Sequence, residues 1–353
     1  MRRKASSDPT RGGDIDLPGI LPFAAPAATL EALAAIGRTE DVRFAPDNRR
    51  IALAGFAASR ILLVDIDVHV AAGRPVVRLG KVVELTSPDL MEPHGLDFLG
   101  DDHIVAANRG GLLSILPLPR PSGPGGAVEV RAETLDPRAG FEHLHTPGSV
   151  AVIPKGQDRY GIVVCNNYAH QVTRHQLQWD SRRAVTRNRV IAAAGLSIPD
   201  GVAVSPTRRW IAISNHNTSS VLMYRNRRGL GPDAEAAGEL LGAGYPHGVR
   251  FVDGDRFVLV ADAGNPVVRV YLGVAGRWRG TRDPVGSLRV VTQDAYLRGR
   301  HNPQEGGPKG IDVDRRNRVV AVTCHEQPLA FFDLRWFLER IARRCGRPYS
   351  PMA

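Results

Sequence analysis

The chain lacks any long apolar run. Charged, glycine or proline residues interrupt every stretch before it reaches the roughly 20 consecutive apolar residues that a membrane-spanning helix needs. Cysteine is scarce too. Cys165, Cys324 and Cys345 are the only three in 353 residues, and they form neither an even disulfide framework nor a closely spaced ligand pair. Such sparse usage suits a reducing compartment. The start, Met1-Arg2-Arg3-Lys4, continues into a polar segment where a secretory signal would be apolar. Together these absences give the expectation of a cytoplasmic protein with no membrane partner.

Lysine is nearly missing as well. The formal net charge of +10 rests on 46 cations, of which only Lys4, Lys81, Lys155 and Lys309 are lysines. A cationic surplus ordinarily raises nucleic acid as a partner, because clustered cations release counterions on binding phosphate. Here the arginines are scattered through turns and tails, with no alternating aromatic platform, so nucleic acid ranks last among the expected partners. The exception is the segment Arg335 to Arg344, whose apolar period reads as a basic amphipathic helix packed on its own domain.

What the chain does have is repetition. A short turn runs into a small strand six times: Thr39-Glu40-Asp41-Val42-Arg43-Phe44, Pro93-His94-Gly95-Leu96-Asp97-Phe98, Thr146-Pro147-Gly148-Ser149-Val150-Ala151, Pro199-Asp200-Gly201-Val202-Ala203-Val204, Pro246-His247-Gly248-Val249-Arg250-Phe251 and Pro308-Lys309-Gly310-Ile311-Asp312-Val313. Counted from Asp41 through Gly95, Gly148, Gly201 and Gly248 to Gly310, the steps are 54, 53, 53, 47 and 62 residues. Each copy continues as four short strands separated by polar turns, as in Gly201 to Val204, Trp210 to Ile213 and Val221 to Tyr224. This is the pattern of an all-β, six-bladed β-propeller of four-stranded antiparallel blades.

The last copy offers three strands and then turns helical, so the ring needs a strand from the N-terminus. Residues 28 to 36 are helix formers by propensity. By their place in the repeat they read as the missing outer strand, and that reading is the expectation, since it hides two sheet edges. The organisation expected is a flexible tail over 1–28, the propeller over 29–334, and a C-terminal helix and tail over 335–353.

In such a ring the loops entering the blades and the loops between second and third strands open on one face. Eight of the 11 histidines fall in those loops, leaving His69, His103 and His175 elsewhere. The inner positions Glu40, His94, Asp200 and His247 are the candidate metal ligands. Glu40 opposes Asp200 across a six-membered ring, and His94 opposes His247. A carboxylate or imidazole at a narrow channel end costs several kcal/mol unless it is paired or bound to an ion. The cofactor expected is therefore one divalent metal ion, with nitrogen donors favouring zinc, manganese or iron over calcium. His216 and His325 are candidate general bases on the same face. Asn108, Asn166, Asn215, Asp262 and Lys309 are candidate substrate contacts, although an Asn or Asp after a second strand also caps turns. The long segment Asp294 to Gly307 is expected to overhang the site as a lid.

The sixfold turn and its layout resemble the senescence marker protein, gluconolactonase and paraoxonase superfamily over residues 29 to 334, and more loosely the NHL-repeat propellers. The resemblance implies an axial divalent metal held by a Glu before the first inner strand, an Asn in a later blade and an Asp in the next. Glu40 stands at the first position, Asp200 where the family has Asn, and His247 where it has Asp. The family's substrate-contacting Asn of the third blade falls at Pro147. A lyase branch of propellers is similar in using histidines of Pro-His-Gly turns as zinc ligands, as His94 and His247 stand here. The function expected is a metal-dependent hydrolase or lyase acting on a small ester-like or lactone-like substrate. The alternative is a non-catalytic propeller that binds a protein or glycan on the same face.

Overall fold

In the computed structural model the repeat resolves into six blades around a central channel. The structure describes residues 17, 19–120, 123, 125–135, 142–180 and 184–344. Residues 1–16 and 18 of the flexible tail expected over 1–28, and the C-terminal residues from Cys345 onward, lie outside the described residues. No helix among those described is long and apolar enough to cross a membrane.

Blade four shows the plan. Pro199–Val204 lines the channel, then Trp210–Asn215, Ser220–Arg225 and Gly238–Leu240 follow outward, each antiparallel to its neighbour. The innermost strands of the other blades are Thr39–Phe44, Pro93–Leu99, Pro147–Pro154, Pro246–Val252 and Ile311–Val313. Alternating side chains of successive strands point to the two faces of each blade. They meet those of the next blade in six apolar clusters, one for each junction in the ring. Between blades four and five, for instance, Trp210 and Trp278 are fully buried beside Val221, Met223 and Val260. Each large apolar side chain so buried contributes about 1.5–3 kcal/mol.

The repeated glycine has a steric cause. A Cβ on Gly201 would lie 2.0 Å from the His247 carbonyl oxygen, and one on Gly95 would lie 2.6 Å from the Cα of Ser149. Neighbouring blades thus touch backbone to backbone at the mouth, where only glycine leaves room. Blade six has three strands of its own, and Ile20–Leu21 supplies the fourth, pairing antiparallel with Phe331 and Phe332.

An N-terminal strand therefore closes the ring, but it lies upstream of the expected one, inside the expected tail. Residues Ala27–Ala35 form a helix. Helix propensity wins there because the edge of blade six is already taken. The helix also has a buried seat of its own: Leu33 and Ile36 pack with Ile66, Val68 and Val77 of a long hairpin in blade one, and Thr29 Oγ1 donates to the Gly80 carbonyl at 2.7 Å. At the other end Leu334–Arg344 is helical as expected, burying Phe337, Leu338 and Ile341 against blades five and six.

Candidate metal centre

Five of the six inner strands break register where they meet the mouth. The shift falls between Thr39 and Asp41, Pro93 and Gly95, Pro147 and Ser149, Pro199 and Val202, and Pro246 and Val249. A bulge re-aims the unpaired side chain, and here it turns Glu40, His94, Asp200 and His247 toward the axis. Before four of these bulges Glu92, Thr146, Ile198 and Tyr245 adopt left-handed backbone, with φ from 47° to 60°. For β-branched Ile198 that is a strained conformation, held by the surrounding blade.

The four expected ligands converge. His247 Nε2 lies 3.2 Å from Glu40 Oε2 and 3.1 Å from Asp200 Oδ2. His94 Nε2 lies 3.5 Å from Glu40 Oε2 and 3.8 Å from Asp200 Oδ1, and the two imidazoles stack with centroids 5.0 Å apart. All four residues are buried. Donor atoms of Glu40, His94 and His247 all lie within 4.8 Å of one another. A tetrahedral ion with bonds of about 2.0–2.1 Å separates its ligand atoms by about 3.3 Å, so the spacing fits a small divalent cation.

Cations bind only one side of Glu40. Lys309 Nζ donates to Oε1 at 2.8 Å and Arg38 Nε donates to the same oxygen. Oε2 is buried and accepts no hydrogen bond of good geometry. Burial alone would raise the pKa of Glu40, but the positive charge of Lys309 foremost outweighs it and holds the carboxyl well below its usual range. Asp200 behaves likewise: burial opposes ionisation, and His247 foremost, with Arg109, overcomes it. Both carboxylates are therefore charged at neutral pH.

His94 faces them as a neutral base. Its Nδ1 lies 2.7 Å from the Gly148 carbonyl oxygen, which can only accept, so Nδ1 carries the proton. Burial, reinforced by Arg109, lowers its pKa to about 3, which leaves Nε2 as a bare lone pair. The lone pairs of His94 Nε2 and Glu40 Oε2 thus face each other at 3.5 Å with no proton between them, while Asp200 Oδ1, which accepts from Asn167 Nδ2, lies 3.8 Å from Nε2. A cation relieves that arrangement, and the residues fit one.

His216 joins the cluster, with Nδ1 3.6 Å from Asp200 Oδ2 and Nε2 3.4 Å from Gln304 Oε1. Burial lowers its pKa. A cavity of about 90 Å³ at the mouth is lined by His94, His216, His247, Asp200, Lys309 and Arg109, among others. Gln304 and Glu305 also line it, and Glu305 pairs with Arg38 at 3.1 Å, so the segment Asp294 to Gly307 does overhang the mouth.

The remaining sequence candidates are placed differently. Asn108, Asn166 and Asn215 spend their amides on their own blades. Asn108 Nδ2 donates to the Leu112 carbonyl, Asn166 Oδ1 accepts from the His145 amide, and Asn215 Oδ1 accepts from the Ser197 amide. Asp262 is held by Arg269 at 2.9 Å and by Asn265. All four end a second strand: Asn108 and Asp262 brace the hairpin that follows, and Asn166 and Asn215 hold the loop that enters their own blade, which is why the same residue types recur there. His325 stacks edge-on with His301 and lies 4.0 Å from Glu326, outside the lining of the mouth cavity. Lys309 reaches the site, as a partner of Glu40.

Sequence reasoning missed Arg38, Arg109 and Asn167. Asn167 Nδ2 donates to Asp200 Oδ1 at 2.7 Å, and Arg109 lies 3.5 Å from the same oxygen. A signal existed for Arg109 and Asn167. In blades one to four the residue just after the second strand runs Phe56, Arg109, Asn167, His216, and each of these touches the cluster or its ligands, Phe56 through an edge contact with His94. The third blade also departs by one residue from the sequence alignment of the copies. Its bulge leaves Gly148 at the axial position, with Pro147 paired to Asn166, and a Cβ on Gly148 would lie 1.8 Å from Asn167 Oδ1. Asn167 thus fills the axial place in that blade.

No protein-family model matches the sequence, and no curated protein matches it. Solved structures match the fold. One is an X-ray structure of a protein provisionally named a gluconolactonase, with a TM-score of 0.53 and 14% sequence identity, covering 85% of this chain and 89% of that one. At that identity the likeness bears on the six-bladed fold alone.

Proposed function

We propose that the mouth holds one divalent metal ion and that the protein is a metal-dependent hydrolase of a small ester or lactone. The observation that carries the metal is the buried, unbonded Glu40 Oε2 facing the lone pair of a neutral His94. Glu40, His94 and His247 would hold the ion, with Asp200 alongside. Two imidazoles favour zinc, manganese or iron over calcium. When bound, the metal supplies Lewis acidity toward a carbonyl oxygen and acidifies a coordinated water.

The protein's own groups supply the rest. His216, neutral and lining the cavity, is placed to take a proton from the attacking water. Arg109 and Lys309 set positive charge at the rim, where an oxyanion develops. The segment carrying Gln304 and Glu305 covers the site and excludes bulk water, and the small cavity selects a small substrate. The lactone reading draws support from the name of the structural neighbour, the hydrolase reading from the donor set. Assay of the purified protein against a panel of small lactones and aryl esters tests it. Turnover that disappears in Glu40→Gln while its melting profile in chelator matches that of the wild type in chelator supports the proposal. No turnover on any member, or turnover indifferent to Glu40→Gln, rejects it in favour of a binding platform.

A further inference from the structure

A second cavity lies on the face opposite the mouth, between the outer strands of blade three and the segment that follows the third strand of blade four. Its volume is about 350 Å³, and it is lined by Lys155, Arg174, Gln176, Arg187, Arg189 and Arg228. Five of the six are cations, and among the described residues no acid lines it. The strand register makes this costly. Arg174 stands directly opposite Arg189 across the pair Gln171–Gln178 and Ala184–Ala192, with Gln176 opposite Arg187 next to it. Like charges placed directly across a strand pair repel.

Among the described residues no acid is paired with these cations. Arg174 donates to Asn226 Oδ1 at 2.7 Å, a neutral acceptor, and its Nε is buried with no partner. Burial and neighbouring arginines push the pKa of both Lys155 and Arg174 down, the mark of cations short of counter-charge. A concave cluster that persists at such cost has the form of an anion site.

We infer that this cavity binds a compact polyanion carrying two or three phosphoryl groups. Each such group brings about −1.5 to −2 charge at pH 7, so two or three balance five cations. The planar forks of four arginines suit phosphoryl oxygens better than a point charge would. The volume falls at the small end of the roughly 300–1,000 Å³ usual for small-molecule sites. The lining has no aromatic ring on which a base could stack, which favours a small polyanion over single-stranded nucleic acid.

Titration calorimetry of the full chain with pyrophosphate and tripolyphosphate tests the inference. Arg187 and Arg228 are exposed, so the double variant Arg187→Gln, Arg228→Gln keeps the fold, and circular dichroism melting checks it. The expected result is one pyrophosphate per chain, affinity reduced at least tenfold in the double variant, and unchanged affinity in Glu40→Gln. Absence of binding at low salt overturns it. So does equal binding by the double variant, or binding lost in Glu40→Gln alone, which would put the anion at the mouth. A short single-stranded DNA that binds more tightly than tripolyphosphate and is lost in the same double variant would replace the small polyanion with nucleic acid.

Discussion

The two ends of the channel are both crowded with buried charge, yet they are built to different rules. At the far end Asp41, Asp97 and Asp312 each reach across to the next blade and accept from a backbone amide: Leu96 at 3.1 Å, Val152 at 2.7 Å and Phe44 at 2.7 Å. Their remaining oxygens meet Arg43 and Arg250, and Arg315 donates to the Phe44 and Ala45 carbonyls. At the mouth Glu40 Oε2 faces the bare Nε2 lone pair of His94 instead, and Glu40 Oε2, Asn167 Oδ1 and His216 Nδ1 are all buried without a hydrogen-bond partner. Burial of charge is common to both ends. Arg109 Nε and Thr323 Oγ1 are unpartnered at the mouth too, whereas at the far end the one such atom among the described residues is Arg250 Nη2. What separates a clasp from a candidate reaction centre is therefore the direction in which the lone pairs point.

Four substitutions or conditions put pressure on that contrast. The largest effect is expected at Glu40→Gln, which removes the anionic donor while preserving shape: turnover and bound metal are both lost, read by activity assay and elemental analysis, and the melting temperature in chelator stays near that of the wild type. Next comes His216→Ala, expected to lower kcat by about 10²–10⁴-fold while the metal is retained, since a general base typically contributes that much. At the far end Asp97→Ala should act in the opposite sense. It leaves the Val152 amide and Arg43 short of an acceptor and costs about 1–3 kcal/mol of stability, measured by denaturant unfolding, with metal content unchanged.

The smallest effect separates the ends by pH. Burial depresses His94 to about 3, so the unfolded chain binds the extra proton first, and the mouth loses stability and metal together as pH falls from about 6.5 toward 3. Asp41 is shifted the other way, to about 6, by burial. There the folded chain holds the extra proton, and its contribution is lost as pH rises from about 4 through 6. Asp41→Asn should therefore remove a stabilising response to acid and steepen the acid loss, a change visible in melting temperature against pH.

The contrast also explains what the sequence could show. Six blades were legible because the glycine in four of the copies, Gly95, Gly201, Gly248 and Gly310, answers a close backbone approach, and such a need repeats at near-fixed spacing. Glu40, His94, Asp200 and His247 were legible as a group because they occupy one place in that repeat. The helix Ala27–Ala35 was misread because repeat logic was set above propensity, while the true closing strand, Ile20–Leu21, is only two residues long and leaves almost no pattern. Asn108, Asn166 and Asn215 looked like site residues because turn bracing and substrate contact favour the same side chains. Gly148 was hidden by a bulge, which shifts one residue and cannot be read from spacing alone. Arg38 and Arg109 sit just outside the repeated motif, where only the folded ring brings them to the carboxylates.

The central claim is that the lone pairs at the mouth converge on a metal. Elemental analysis of the full chain purified without added metal tests it most directly. The account predicts close to one equivalent of zinc, manganese or iron per chain, removed by chelator with a fall in melting temperature. No stoichiometric metal, together with a melting temperature unmoved by chelator, would contradict it.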